Sequence, residues 1–324
     1  METLYIIGNG FDKHHGMQTS YYDFAEYLKS NDSHLLDLLE SHIDPMSDDD
    51  LWARFEENLA KMDVESILSA HSDRLPDYVS DEFRSRDRYV FPDIMEDTLE
   101  NLTDGLVNRF KDFILNVKTL ESAQEKRLRL KKNALFFTFN YTATLENLYQ
   151  IDSQYIFHIH NHAYSKHNNI ILGHGIDPEN LKDADKIPPK GLSFKEEAEW
   201  FQRLDDDYEY SYDTGKETIY RYFKRSYKPT KEIIEEHSHY FTSLSKIISV
   251  YILGHSLSDV DLPYIQKIKV SVSINTIWHV SYYGAKEKAS HNKTMLNLGI
   301  KKENIKMVTL NKLQIANKQL ALKL

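Results

Sequence analysis

Gly8 and Gly10 stand one residue apart directly after the apolar run Leu4-Tyr5-Ile6-Ile7, and Asp12 follows. Glycines at the end of a buried strand let the backbone turn sharply and approach a phosphate, with the next amides free to donate hydrogen bonds. The spacing is an incomplete dinucleotide fingerprint, because Lys13 holds the place of a third glycine. Three further polar clusters end apolar runs in the same way. Asn140 closes the run over 134–139. His158-Ile159-His160-Asn161-His162 closes the run beginning at Tyr155. Gly254-His255-Ser256-Leu257-Ser258-Asp259 closes the run over 247–253. Together these groups suit a nucleotide. Glycine turns fit a diphosphate, and Ser256 and Asp259 fit ribose hydroxyls or a base edge. Asn140 can orient a water or a ribose hydroxyl, and with His158 or His160 at the site, His160 can serve as a general base near neutral pH. There is no cysteine nucleophile, no Gly-x-Ser-x-Gly elbow and no Walker lysine after a glycine loop. Hydride transfer would need a second substrate pocket, for which the sequence carries no distinct signal. Cleaving a nucleotide's glycosidic bond with water needs only a few such groups and fits better.

Each residue also has an ordinary structural use. Asn140, Ser256 and Asp259 fit helix caps. His158 and His160 fall on one face of an extended segment and fit a buried turn. With His162, His174 and His255 they fit a metal site, but these histidines fall on strands and turns and not at i, i+4 on a predicted helix, so no metal is expected. The basic run over 126–132 reads as an exposed helix end. Asp48-Asp49-Asp50 and the stretch from Arg84 to Arg88 read as solvated loops.

The elements that must carry these residues follow from pattern. Strands are predicted at the residues before Gly8, at 134–139, 155–159, 170–172, 247–253, 276–280 and 305–310. Helices are predicted through Leu145 to Tyr149, over about 261–269 and near 285–298. Residues 20–130 and 180–245 read as large helical insertions, opened by the capping boxes Ser20/Asp23 and Ser193/Glu196. The stripe Leu99, Leu102, Leu106, Phe110, Phe113, Val117 and the set Trp52, Phe55, Leu59 repeat at three and four residues, as core faces do. Strand and helix in alternation predict an α/β fold with a doubly wound, mostly parallel, Rossmann-like sheet. Such sheets bind ligands outside the carboxyl ends of their strands, where all the clusters lie.

Composition sets the limits. The chain has 324 residues, 41% of them hydrophobic, enough for a substantial core. Its 40 basic and 50 acidic residues leave a net charge of −10, which argues against nucleic acid as the main partner. With no cysteine, disulfides, cysteine zinc sites and thiol catalysis are excluded. No charged leader with an apolar core precedes the first strand, and no apolar run nears the ~18 residues that cross a bilayer, so a cytoplasmic protein without membrane contact is expected.

The motif set resembles the AbiH family of bacteriophage abortive-infection proteins. The residues that carry the resemblance begin with Ile6 to Asp12, then Thr19-Ser20-Tyr21 and Asp23-Phe24. Phe137-Thr138-Phe139-Asn140-Tyr141-Thr142, Leu145-Glu146 and His158-Ile159-His160 follow. Ile171-Leu172-Gly173-His174-Gly175 and Gly254 to Asp261 complete it. More distantly, the succession is similar to the sirtuin-like fold of prokaryotic defence proteins. That resemblance implies one sirtuin-like domain over 1–324 that binds NAD and hydrolyses it as substrate, with no cofactor required. It implies Gly8, Asn9, Gly10, Phe11 and Asp12 at the dinucleotide, and Asn140 on the nicotinamide ribose or the water. It implies His160 as base, and Gly254, Ser256 and Asp259 toward the adenosine half. Protein deacetylation is not implied, since the cysteines of a zinc ribbon are absent. Two other readings stand beside the NAD hydrolase. One is a nucleotide-binding sensor or toxin partner without turnover, in which the helical insertions contact another protein or a second copy. The other is a metal-dependent nuclease, against which the acidic charge and the lack of a carboxylate cluster weigh.

Overall fold

The computed structural model describes residues 1–45, 51–166, 169–206 and 208–315, so the expected loop at Asp48-Asp49-Asp50 lies outside the described residues. β1 (Thr3–Ile7) is buried along its whole length. Leu4 and Ile6 enter one apolar cluster, and Tyr5 and Ile7 enter another. A strand with no polar face must have cover on both sides, and that cover places it at the centre of a parallel sheet. β2 (Leu135–Thr138), β3 (Ile156–His158), β4 (Ser249–Leu253), β5 (Ile277–Ser281) and β6 (Ile305–Val308) complete a six-stranded sheet. The order is β3-β2-β1-β4-β5-β6 and every pairing is parallel. This is the strand order of a doubly wound dinucleotide-binding sheet, in which the order reverses between β1 and β4.

Register decides where the polar clusters emerge. Ile7 is level with Thr138 on one side and Leu253 on the other, and Thr138 is level with His158. Gly8, Phe139, Ile159 and Gly254 therefore leave the sheet at one height. The Gly8 amide donates to the Leu253 carbonyl (3.1 Å), and the Phe139 amide donates to the Ile7 carbonyl (2.9 Å).

The chain forms two compact units. The first comprises residues 1–27, 110–172 and 229–324 and contains the sheet. Its first core joins Leu4, Ile6, Phe137, Val250, Ile252 and Val280 to Tyr264, Ile265 and Ile268 of the helix Leu262–Ser271 and Met295 of the helix Gly284–Asn297. Its second core sets Tyr5, Ile7 and Phe136 against Phe11 and against Leu145, Leu148 and Tyr149 of the helix Thr144–Tyr149. The second unit comprises residues 28–109 and 173–228. Its helix Tyr210–Tyr220 packs so closely on Val90–Glu100 that a Cβ at Gly215 would lie 2.5 Å from the Phe91 ring. Trp52 stacks on Phe55, and Lys216 is held among Glu65, Asp183 and Asp185.

Both capping boxes form. The Ser20 amide donates to Asp23 (2.8 Å) and the Ser193 amide to Glu196 (2.8 Å), with the reciprocal bonds in place. Other sequence expectations need correction. Residues 170–172 are not a strand; Ile170 and Leu172 are buried without ladder partners, so burial alone produced the apolar run. The basic stretch 126–132 is a loop, pinned because Leu128 is buried and bridges Gln314. Residues 71–89 and 117–134 hold only short 3-10 turns, so the region 20–130 is less helical than its apolar spacing suggests.

The turn of β4 supplies a stability test. Gly254 has φ +65, and a Cβ there would sit 2.1 Å from the Phe11 amide nitrogen. Gly284 also has a positive φ, +84, but a Cβ there would meet nothing within 4 Å. Gly284→Ala should cost about 1 kcal/mol, the price of left-handed backbone alone. Gly254→Ala should cost about 3 kcal/mol or more, because strain and a backbone clash combine. Urea denaturation of the two variants checks this; equal losses would mean that the close approach at Gly254 is not required.

Candidate functional site

The glycines of the first turn lie against the turn of β4. A Cβ on Gly8 would fall 2.6 Å from His255 Cα, and one on Gly10 would fall 2.8 Å from the Gly254 oxygen. The Gly10 amide donates to the Gly254 carbonyl at 2.7 Å, and the Gly254 amide donates to Ser281 Oγ at 2.7 Å. The close approach that these glycines permit is thus between two backbone turns at the switch point of the sheet. Asn9 is exposed, and its carboxamide is tied to Thr19 on both sides. Phe11 is fully buried in the second core, beside His15 and Tyr149.

Asp12 turns inward from the helix Asn9–His14 and is 1% exposed. Thr142 donates to its Oδ2 at 2.6 Å, while Oδ1 has no hydrogen-bond partner among the described residues. Burial pushes its pKa up to about 6. The side chains of Thr142, Thr144 and Asn140 pull the other way, and the charge of Glu146 adds to the rise. Asn140 is 6% exposed, and both polar atoms of its carboxamide also lack hydrogen-bond partners. It faces Asp12 closely enough to favour the carboxylate but stops short of hydrogen-bond geometry. It does not cap the helix Thr144–Tyr149, whose N-cap is Ala143. Thr142 and Thr144 also line a small opening with Met17, Asn147 and Tyr164, so the side chains around Asp12 reach a pocket.

His158 and His160 part company. β3 ends at His158 and the chain turns, with Asn161 in the left-handed region at φ +60, so the one-face alternation expected for an extended segment is lost. His158 joins the Asp12–Asn140 side. Its Nε2 lies 2.9 Å from Glu146 Oε1 and its Nδ1 3.2 Å from the Asn140 carbonyl. His162 packs against it, ring centroids 4.8 Å apart, and burial and the His158 charge lower its pKa. His160, 2% exposed, sits instead among the rings of Phe139, Tyr141 and Tyr264. Its Nε2 lies 3.8 Å from Asp261 Oδ1, and His255 Nε2 lies 3.6 Å from Asp261 Oδ2. The Leu257 amide donates to His255 Nδ1, which leaves Nε2 as the protonated nitrogen facing Asp261. Two imidazoles thus flank one carboxylate.

Ser256 and Asp259 are exposed on the turn before the helix Leu262–Ser271, and neither side chain caps it. His174 belongs to the second unit. It is fully buried and bonded to the Phe223 carbonyl, and burial lowers its pKa to about 4. The side chains that gather at the strand ends without having been singled out as site candidates are Thr142, Glu146 and Asp261. Each stands within a motif quoted for the family resemblance, but spacing alone gave no reason to choose them. Ser258 and Asp261, rather than Ser256 and Asp259, are the pair whose side chains bond to one another in this turn.

A raised pKa on a buried carboxyl is a statement about stability. Folded Asp12 holds its proton to about pH 6, whereas an unfolded aspartate releases it near 3.8. The protonated form therefore stabilises the fold, and this contribution is lost as pH rises from about 4 to about 6. At about 1.4 kcal/mol per pKa unit, it amounts to about 3 kcal/mol. Asp12→Asn, which is neutral at every pH, should match the parent near pH 4 and exceed it in stability at pH 7.5. Melting curves of both proteins at the two pH values test this. A stability difference that does not grow with pH would show that Asp12 ionises without cost.

Residues 4–282 match the family described as bacteriophage abortive infection AbiH, a span that includes Asp12, Asn140, Glu146, His158, His160, His255 and Asp261. No curated protein and no solved structure matches the chain. With most of its length matched, including every strand end that carries a polar cluster, the chain belongs to the AbiH family of bacteriophage abortive-infection proteins.

Proposed function

We propose that this protein serves abortive infection by hydrolysing NAD at its nicotinamide–ribose bond, with NAD as substrate and no further cofactor. The family supports the defence role. The strand order and the polar groups at the strand ends support a nucleotide ligand, and the sirtuin-like resemblance supports the choice of bond. One observation carries the reading. Asp12 Oδ1 and both polar atoms of the Asn140 carboxamide are buried and have no hydrogen-bond partner among the described residues. A buried polar group left unbonded costs about 1–3 kcal/mol, so such a pair calls for a polar ligand or water. A ribose diol offers donors and acceptors that match a carboxamide beside a carboxyl group.

In this mechanism the C1′–N bond breaks and its electron pair neutralises the pyridinium nitrogen of the departing nicotinamide. Asn140 orients the attacking water or the ribose hydroxyl as positive charge develops at C1′. The water oxygen bonds to C1′, and its proton passes to His160, whose ring faces Asp261. The turns that begin at Gly8 and at Gly254, with Ser256 and Asp259 exposed on the second, flank the rest of the nucleotide. A second reading, a nucleotide-binding sensor that turns nothing over, is favoured by the deep burial of Asn140 and His160.

Nicotinamide release from NAD by the purified protein, with and without phage lysate, separates the two. On the hydrolase reading the parent releases nicotinamide. Asn140→Ala should then lose about 10²-fold or more in rate while losing at most about 1–2 kcal/mol of stability. His160 is enclosed by three rings, so His160→Ala would leave a cavity costing about 2–4 kcal/mol. His160→Gln is the fairer test and should lose turnover to a similar degree. Folded variants that consume NAD at the parent rate would remove both residues from the mechanism. A parent that binds ADP-ribose yet releases no nicotinamide under either condition would establish the sensor instead.

A further inference from the structure

The backbone of Asn140 is fastened at both of its polar groups by side chains. Its amide donates to Thr138 Oγ1 at 3.0 Å, and its carbonyl lies 3.2 Å from His158 Nδ1. A carbonyl oxygen only accepts, so Nδ1 is the donor. The opposite ring nitrogen lies 2.9 Å from Glu146 Oε1, on the helix that follows Asn140, and with Nδ1 donating to the carbonyl this contact needs one further proton, on the ring or on the carboxyl group. The carboxamide is the one part of Asn140 that these contacts leave unbonded. We propose that His158 is a positioning residue: it clamps the Asn140 carbonyl so that the carboxamide stands beside Asp12.

The physical case rests on what else could aim that carboxamide. The terminal torsion of an asparagine is broad, so where no hydrogen bond fixes the carboxamide its placement depends on how the backbone is held. Asn140 lies beyond the last ladder residue of β2, Thr138, where sheet pairing no longer holds the chain. His158 is the last residue of β3 and pairs in register with Thr138, so the clamp is anchored in the sheet itself. Groups that act on a reacting centre need placement within about 0.5 Å, and such placement is supplied by surrounding bonds. This assignment rests on the reading of Asn140 as the group that orients water or ribose.

Two conservative substitutions separate the clamp from its alternatives. In His158→Asn the side-chain amide nitrogen falls near the place of Nδ1, so the bond to the Asn140 carbonyl survives while that to Glu146 is lost. In His158→Gln the amide nitrogen falls near Nε2, so Glu146 keeps its partner and the clamp is lost. The expected result is that His158→Asn keeps kcat within about threefold, whereas His158→Gln loses about 10²-fold in kcat with KM unchanged. The reverse order would assign His158 to the Glu146 pair alone and overturn the proposal. Equal, large losses in both would make His158 a reacting group, which also overturns it. If the parent releases no nicotinamide, the hydrolase reading fails, and the clamp is read from the protein itself. The Asn140 side-chain amide resonance, identified by its disappearance in Asn140→Ala, should stay in place in His158→Asn and move in His158→Gln. A resonance unmoved in both variants would refute the clamp whatever the activity.

Discussion

At the switch point of the sheet, two backbone turns touch with no side chain between them. Gly8 and Gly10 on one turn and Gly254 on the other each stand where a Cβ would overlap the facing main chain. The contact closes with the hydrogen bond from the Gly10 amide to the Gly254 carbonyl. Much of the carboxyl edge depends on this approach. It sets the direction in which the helix Asn9–His14 departs, and so turns Asp12 inward beneath Thr142. It also fixes the start of the Gly254–Asp261 turn, and with it the distance from His255 to Asp261. One tight junction therefore feeds two polar clusters on strand ends that the parallel register has already brought level.

The two clusters differ in what holds them. The first, around Asp12 and Asn140, is built from short polar residues following β1 and β2 and has neighbours with hydroxyl and carboxyl groups. The second, around His160 and Asp261, is enclosed by aromatic rings. An imidazole among rings is shielded from water, so a carboxylate facing it at 3.6–3.8 Å acts through a lower effective dielectric than at the surface. Both clusters belong to the sheet-bearing unit, which is why substitutions at the strand ends and in the sheet must be compared on stability before activity.

The central strand was plain in the sequence, because a run apolar at every position has one common explanation in an α/β protein. Parallel order followed from alternating strand and helix, and both capping boxes were readable from a serine and an acidic residue three apart. Failures came where burial imitates secondary structure. Ile170 and Leu172 are apolar because they are buried, not because they pair. The basic run 126–132, read as an exposed helix end, is a loop in which Leu128 is buried. For the site, position at a strand end identified Asp12, Asn140 and His160 as residues of the edge. It did not separate His158 from His160, because the turn at Asn161 breaks the alternation and no sequence rule marked a left-handed asparagine there. Nor did it find Glu146 and Asp261, whose contacts with His158, His255 and His160 no spacing announces. Only the fold supplies that information.

Stability alone does not account for the Asp12–Asn140 pair. A hydrophobic residue in place of Asn140 would remove two unbonded polar atoms, each costing about 1–3 kcal/mol, and a neutral residue in place of Asp12 would remove a cost that grows toward pH 6. Against a total stability of about 5–15 kcal/mol, these are large sums for one corner of a fold to carry. The same corner spends ordered contacts on holding the costly group still: Thr138 and His158 fasten the backbone of Asn140, and Thr142 fastens Asp12. Structure that was merely tolerated would relax, with the carboxamide swinging to the nearest acceptor. A carboxamide left without a bond while its backbone is fastened on both sides is the physical argument that supports the proposed ligand at this edge.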